Sequence, residues 1–183
     1  SNHVYSEEME HDACGVGLVA STEGLKSRKV VEYGIDALKA VWHRGAIDAD
    51  GKTGDGAGIH IEIPKDFFEE KIEVTGHKHD NSELCVGMIF LPRNDYSAQE
   101  QCRTIVESEL TKRNFSIYGW RQVPVDPSVL GEKAEQTRPE ITQVLFTYND
   151  KKVVNKSLEQ KLYETRRVIE KEALNNQLNN FYI

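Results

Sequence analysis

The run HDACGVG at residues 11–17 holds the feature that decides this chain's fold and chemistry, the cysteine Cys14. Glycines on both sides of Val16 leave the backbone near the thiol uncovered, which lets a substrate carbonyl come close. A cysteine attacks as its thiolate, so it needs access and either a nearby base or a lowered pKa. Most lone cysteines are structural, and this run alone makes Cys14 only a candidate nucleophile.

The two other cysteines fit a buried, structural role. Cys85 lies in the apolar run LCVGMIFL at residues 84–91, and Cys102 lies on the apolar side of a predicted helix. Both patterns are typical of small buried hydrophobic residues. An odd count with no Cys-x-x-Cys pair predicts no disulfide framework and favours a reducing, cytoplasmic location.

A second informative stretch is HRGAIDADGKTGDGAG at residues 43–58. One interpretation is a glycine-rich surface loop whose charges face water. Another is a phosphate cradle, since closely spaced glycines can bind phosphate at a helix N-terminus. Here, however, the glycines lead into alternating isoleucines rather than a helix, and no Gly-Lys-Ser or Gly-Lys-Thr follows.

Composition excludes several classes of protein. The 183 residues are 38% hydrophobic and 29% charged, which suits one globular domain with a sizeable core. A net charge of −7 without a basic stripe argues against nucleic-acid binding. No apolar run is long enough to cross a membrane, and the first residues lack the pattern of a secretory signal.

Hydrophobic periodicity predicts an alternation of strands and helices. We expect strands at 14–20, 59–63, 84–91, 115–125 and 141–148, and helices at 27–42, after Pro64, at 98–110 and at 157–178. Residues 126–139 are expected to be a long connection, and 181–183 the first half of a further strand. This order permits either a doubly wound α/β fold or a layered α+β fold.

Taken together, the two glycine-rich stretches resemble the glutamate synthase branch of the class II glutamine amidotransferases, which are N-terminal nucleophile (Ntn) hydrolases. Arg44 and Gly45 follow Cys14 by about thirty residues, as in that family, and the resemblance is densest over residues 11–63. It implies an α+β fold, the four-layer αββα sandwich, incomplete at the C-terminus. It also implies a leader at 1–13, followed by the N-terminal part of the amidotransferase domain at 14–183. Residues 1–2 of the leader are alternatively a tag remnant.

The resemblance implies a glutaminase reaction at Cys14, with Arg44 supporting the pocket, Gly45 as a close-packed neighbour and Asp55 as a further pocket candidate. A free α-amino group, with an ordinary pKa of about 7.7–8.0, would accept the thiol proton. Ammonia would pass to a downstream synthase domain of the same polypeptide. FMN and an iron–sulfur cluster are expected in that synthase domain, whereas no cofactor or metal is expected in these 183 residues. A small NAD(P)H-oxidising subunit is a further candidate partner.

Two departures from the family pattern predict that the chain is inactive as it stands. Thirteen residues precede Cys14, so its nitrogen is an amide without basicity. The family's oxyanion donors come from an Asn-Gly pair and its substrate clamp from a Ser-Ser-Arg-like segment, and neither occurs in these 183 residues. The alternatives are a non-catalytic regulatory or subunit-docking module with the same fold, and a nucleotide-binding enzyme that uses the glycines of 51–58.

The histidines are expected to have no metal-binding role. His77 and His79 form a His-x-His pair in a polar stretch, which is more typical of a solvated pair than of a ligand set. His43, beside Arg44, is predicted to be a pocket-wall or helix C-terminal residue.

Overall fold

The computed structural model describes residues 15–41, 47, 49–54, 56–79, 82–150 and 156–183. The chain divides into two compact units, residues 1–62 and 63–183. Each unit is described by itself.

In the first unit the main element is the helix α1, Arg28–Ala40. Ser27 caps its N-terminus, where the side-chain oxygen accepts a hydrogen bond from the backbone N–H of Lys29 at 3.2 Å. One face carries Val30, Val31, Ile35 and Leu38, all half-buried. The helix predicted at 27–42 is therefore confirmed.

The two strands predicted in this unit, at 14–20 and 59–63, do not form in the residues that the structure describes. A strand is defined by hydrogen bonds to a neighbouring strand, and the alternation of apolar residues cannot supply that partner. Ile59 and Ile61 stay exposed, at 47% and 45%. The one described pairing in this unit is an isolated antiparallel bridge between Ile47 and Gly54.

Helices and strands alternate along the second unit. Its elements are α2 (Lys65–Val74), β1 (Leu84–Leu91), α3 (Tyr96–Lys112), β2 (Phe115–Gln122), a 3-10 turn (Pro127–Val129), α4 (Glu132–Thr137), β3 (Glu140–Tyr148) and α5 (Lys156–Asn175). The predicted connection at 126–139 thus contains two short helical segments. They were missed because neither carries enough apolar residues to show a period.

The three strands form an antiparallel sheet in the order β1-β3-β2. Leu84 pairs with Thr147 at one end of the β1–β3 ladder, and a bulge separates Ile117 from Gly119 in β2. Near the chain's end Tyr182 exchanges both backbone hydrogen bonds with Phe90, at 2.9 and 3.0 Å. An antiparallel sheet excludes the doubly wound parallel alternative and confirms the α+β class.

Alternate strand residues supply two hydrophobic clusters on opposite faces of the sheet. On one face α3 and α5 pack against residues such as Ile89, Val144 and Phe146. On the other, Phe68 and Ile72 of α2 pack against the second set, Leu84, Tyr118 and Leu145. The arrangement of this unit is helices, sheet, helix, which is consistent with the α+β class of the Ntn hydrolases. The second sheet of the four-layer αββα sandwich is absent from the residues that the structure describes.

An ion cluster fastens α4 to the turn after β1. The Glu135 carboxylate accepts hydrogen bonds from the guanidinium groups of Arg93 and Arg138. These donors lower the pKa of Glu135 to about 2. The Gln99 amide in α3 also binds this turn, since it donates to the carbonyl oxygens of Pro92 and Arg93 at 2.9 and 3.1 Å.

Gly119, beside the bulge in β2, is a position that requires glycine. Its φ is +153°, and an added Cβ would lie 2.8 Å from Cγ2 of Thr75.

We expect Gly119→Ala to lower the free energy of unfolding by about 1–3 kcal/mol, because both the backbone and the contact are strained. Gly34→Ala in α1 is the control: a Cβ there meets no atom within 4 Å. It should leave the protein as stable or up to about 1 kcal/mol more stable. Denaturant titration of both variants tests this, and equal stability of Gly119→Ala and the wild type would contradict it.

Candidate functional site

The four site residues predicted from the sequence, Cys14, Arg44, Gly45 and Asp55, lie outside the described residues, as does His43. The structure therefore tests neither their positions nor their mutual distances. It does describe the segments next to them in the chain, which are residues 15–18 after Cys14 and the loop 47–54 between Gly45 and Asp55.

The segment after Cys14 is open. Val16 and Leu18 are 95% and 91% exposed. A Cβ added at Gly15 or Gly17 would meet no atom within 4 Å, and neither residue has a positive φ. Packing within the described chain therefore does not require glycine at either position, which leaves room for another molecule beside the backbone.

Residues 49–54 form an exposed turn that is held by local hydrogen bonds. The Asp50 Oδ1 atom accepts hydrogen bonds from the backbone N–H groups of Lys52 and Thr53, at 2.9 and 2.7 Å. Its Oδ2 atom accepts a third from the Thr53 hydroxyl. Gly51 has a φ of +69°, which glycine adopts without a steric cost. The described residues here are exposed apart from half-buried Thr53, which agrees with the surface-loop interpretation, and the Asp50 carboxylate in addition holds the turn.

Sequence reasoning missed this role of Asp50, although a signal was present. An aspartate often accepts hydrogen bonds from backbone groups two or three residues ahead, and a glycine next to it permits the tight turn. Asp50, Gly51 and Thr53 fit that pattern.

The described glycines of 51–58 do not form a phosphate cradle of the helical kind. No helix is present at 56–64, and the next one, α2, begins at Lys65. A helix N-terminus with free N–H groups is what makes such loops bind phosphate. In the described part of the chain, that arrangement is absent from this stretch.

The expectation that His77 and His79 are a solvated pair is wrong for His79. Its side chain is only 6% exposed, and its Nδ1 atom lies 3.0 Å from Oε1 of Glu69. The ring packs edge-on against Tyr118, with centroids 5.9 Å apart. The Nε2 atom is buried and has no hydrogen-bond partner among the residues that the structure describes. His77 is exposed, and its Nδ1 atom lies 3.1 Å from the Thr75 hydroxyl.

The residues that the structure describes do not fit a metal or an iron–sulfur cluster. Among them, no group of three or more His, Cys, Asp or Glu side chains is arranged to hold a metal ion. Burial raises the pKa of the Cys85 thiol to about 12 and that of Cys102 to about 11. Both thiols are free and buried in the hydrophobic core, which confirms the structural role predicted for them.

Comparison with known families decides the identity of the fold. Residues 14–183 match the sequence profile described as "Glutamine amidotransferases class-II". The chain belongs to this family. The resemblance inferred from the two glycine-rich stretches is thereby confirmed, and the match begins at Cys14 itself.

Curated members of the family that resemble this amidotransferase chain are glutamate synthases. It is 54% identical over 181 residues, 99% of its length, to the glutamate synthase [NADPH] large chain of Azospirillum brasilense. It is 37% identical over 172 residues to the ferredoxin-dependent glutamate synthase of Pyropia yezoensis. It is also 37% identical over 164 residues to ferredoxin-dependent glutamate synthase 2 of Arabidopsis thaliana. These matches cover 93% and 88% of the chain.

This amidotransferase chain spans a small part of those relatives, 12%, 11% and 10% of their respective lengths. None of its described helices is both long and apolar enough to cross a membrane.

Proposed function

We propose that this chain is a glutaminase domain that supplies ammonia within a glutamate synthase, with Cys14 as its nucleophile. One observation carries the proposal: the family match begins at Cys14, the residue that the sequence singles out as a candidate nucleophile. The identity of 54% to a glutamate synthase large chain supports the choice of that branch.

The proposed domain division follows from the same boundary. Residues 1–13 are a leader, and residues 14–183 are the N-terminal part of the amidotransferase domain. Hydrolysis of the Ala13–Cys14 amide bond releases the leader and leaves a free α-amino group on Cys14. That group is the base that the nucleophile needs near neutral pH.

In the proposed reaction, the α-amino nitrogen of Cys14 accepts the thiol proton, and the thiolate attacks the side-chain amide carbon of glutamine. The tetrahedral intermediate collapses, and the protonated amine returns its proton to the departing nitrogen, which leaves as ammonia. A glutamyl thioester remains. Water then attacks its carbonyl carbon, the amine takes up the water proton, and the thiolate leaves with release of glutamate.

The roles proposed for the other site residues concern binding. Arg44 supports the pocket on the side of the nucleophile, Gly45 lets the chain pack closely beside it, and Asp55 is a candidate contact to glutamine. The open backbone at Gly15 and Gly17 leaves space for the substrate carbonyl.

The redox chemistry of a glutamate synthase is proposed to lie outside this chain. FMN and an iron–sulfur cluster belong to a downstream synthase domain of the same polypeptide, which uses the ammonia. Among the residues that the structure describes, no group of three or more His, Cys, Asp or Glu side chains could hold a metal ion, in keeping with this division. A small NAD(P)H-oxidising subunit is the further partner, and a reducing compartment such as the cytoplasm is the proposed location.

The proposal is tested by trapping the nucleophile. The full-length gene product is incubated with a glutamine analogue that carries an electrophilic ketone in place of the side-chain amide, and digested for mass spectrometry. We expect one adduct, on Cys14, and protection by added glutamine. Cys85 and Cys102 serve as internal controls because their buried thiols should stay unmodified. No adduct on a Cys14 that has a free α-amino group would contradict the proposal and favour a regulatory or docking module.

A further inference from the structure

Residues 181–183 already lie as a short strand beside β1. The backbone N–H of Phe90 donates to the carbonyl oxygen of Tyr182 at 2.9 Å, and the Tyr182 N–H donates back to the Phe90 oxygen at 3.0 Å. A pair that exchanges both bonds is the hydrogen-bonded pair of an antiparallel ladder. Phe181 is buried, Ile183 packs against the same core cluster, and Tyr182 between them is 63% exposed. This alternation is that of a strand with one face on the core.

The end of α5 fixes the path that brings this segment to β1. Gln177 has a φ of +60°, and its N–H donates to the carbonyl oxygen of Leu174 at 2.9 Å. The N–H of Leu178 donates to the carbonyl oxygen of Ala173, also at 2.9 Å. These two bonds around a left-handed residue form a Schellman cap, which turns the chain out of the helix in one direction. Leu178 then packs against the core cluster.

The outer edge of β1 offers further backbone groups for pairing. In the order β1-β3-β2, one edge of β1 faces β3 and the other faces away from it. Successive residues of a strand direct their N–H and C=O groups to opposite edges, and Phe90 bonds outward. Val86 and Met88 therefore carry outward amides, whereas Gly87 and Ile89 carry inward amides that bond to β3. Among the described residues, no strand lies against the outward amides.

The direction of the Tyr182 pairing leads along this open edge. Because the pairing is antiparallel, the chain that leaves Ile183 runs from Phe90 back towards Leu84. Residues two and four positions after Tyr182 would then lie opposite Met88 and Val86. An open row of backbone N–H and C=O groups is a template for such a strand.

We propose that the polypeptide after Ile183 in the full-length gene product continues along the outer edge of β1 as a fourth, antiparallel strand of this sheet. The inference rests on the proposed function in one respect, since that function places the chain within a longer polypeptide. The continuation is favoured over a separate partner because the Tyr182–Phe90 pair already aligns it with β1, so no loop has to be closed. A second copy of the chain would have to pair where that continuation runs.

Hydrogen exchange of the full-length gene product, resolved to single amides by mass spectrometry, tests the proposed strand. We expect the outward amides of Val86 and Met88 to exchange within about tenfold of the inward amides of Gly87 and Ile89, after correction for intrinsic rates. Both edges of β1 are then paired, and all four amides open only when the sheet opens. Outward amides that exchange at least about a hundredfold faster than the inward ones would overturn the proposal.

Tyr182→Pro is the variant that removes the start of the strand. Proline has no N–H to donate to the Phe90 oxygen, so exchange of the outward amides should become at least about tenfold faster. Tyr182→Phe is the matched control because it keeps the backbone N–H, and its exchange should equal that of the wild type. Unchanged inward amides in both variants show that the sheet is folded. If Tyr182→Pro fails to fold, the wild-type rates decide the question alone.

The outcomes separate this inference from the proposed function. Protection of the outward amides that rises with protein concentration would assign the edge to a second copy and overturn the inference. Unprotected outward amides in a product that still releases ammonia from glutamine would also overturn it, while the proposed function stands. Protected outward amides in a product that neither hydrolyses glutamine nor reacts at Cys14 would support the strand and overturn the proposed function.

Discussion

Replacing Cys14 with alanine is expected to lower the rate of glutamine hydrolysis by about three decades or more. The thioester cannot form without the sulfur, and removal of a nucleophile costs far more than loss of a binding contact. The measurement is ammonia release from glutamine by the mature full-length gene product. Ammonia-dependent synthesis of glutamate, which bypasses the thioester, should be retained by the same variant.

Cys102→Ala is the matched control for loss of a thiol. Cys102 is fully buried in the core, and burial raises the pKa of its thiol to about 11, so it has no route to the substrate. Its glutaminase rate should match the wild type. Glutamine hydrolysis by Cys14→Ala at the wild-type rate would show that the nucleophile lies elsewhere.

A single glycine added before Cys14 in the mature chain is expected to reduce glutamine hydrolysis by about two to four decades. The extension turns the α-amino group into an amide, which cannot accept the thiol proton, and a general base contributes about that factor. The thiol and the rest of the chain are unchanged. A chain that begins at Cys14 is the control, and both are assayed for ammonia release across pH.

The pH dependence adds a second test of the same base. The α-amino group must be neutral to accept a proton, so the rate of the chain beginning at Cys14 should rise as pH increases through the pKa of that amine. The extended chain should lack this limb. Equal rates and equal pH profiles for the two chains would exclude the α-amino group as the base.

Several elements of the fold could be predicted from the sequence because each has a clear local pattern of apolar residues. The apolar run at 84–91 is β1 with unchanged bounds, and the predicted strand at 141–148 is β3 with one residue added. Side chains of both strands pack in hydrophobic clusters on the two faces of the sheet, as a continuous apolar run predicts. In the order β1-β3-β2, β3 is the central strand and β1 is an outer one. The amphipathic pattern around Cys102 likewise predicted α3, whose N-terminus is capped by Asp95.

Other elements were mispredicted because a local pattern does not reveal a distant partner. The alternating isoleucines after residue 58 predicted a strand, yet the structure supplies no neighbour for them among the described residues. His79 was expected in water because its sequence neighbours are polar. Its burial depends instead on Glu69 in α2 and Tyr118 in β2, which lie ten and thirty-nine residues away.

The candidate site was inferred from residue types and spacing alone. Cys14 and Arg44 carry the family pattern, and the match that begins at Cys14 supports it. What the sequence did not reveal was the part of Asp50, because its charge is typical of a solvated loop. Only the three hydrogen bonds to its carboxylate show that this residue shapes the loop between two predicted site residues.

The most direct test is to determine the N-terminus of the full-length gene product from cells, by intact mass and N-terminal sequencing. We predict a mature chain that begins at Cys14 and lacks residues 1–13, which gives the thiol its α-amino base. A mature protein that retains those residues would leave Cys14 without that base, contradict the proposed mechanism, and favour a regulatory or docking module.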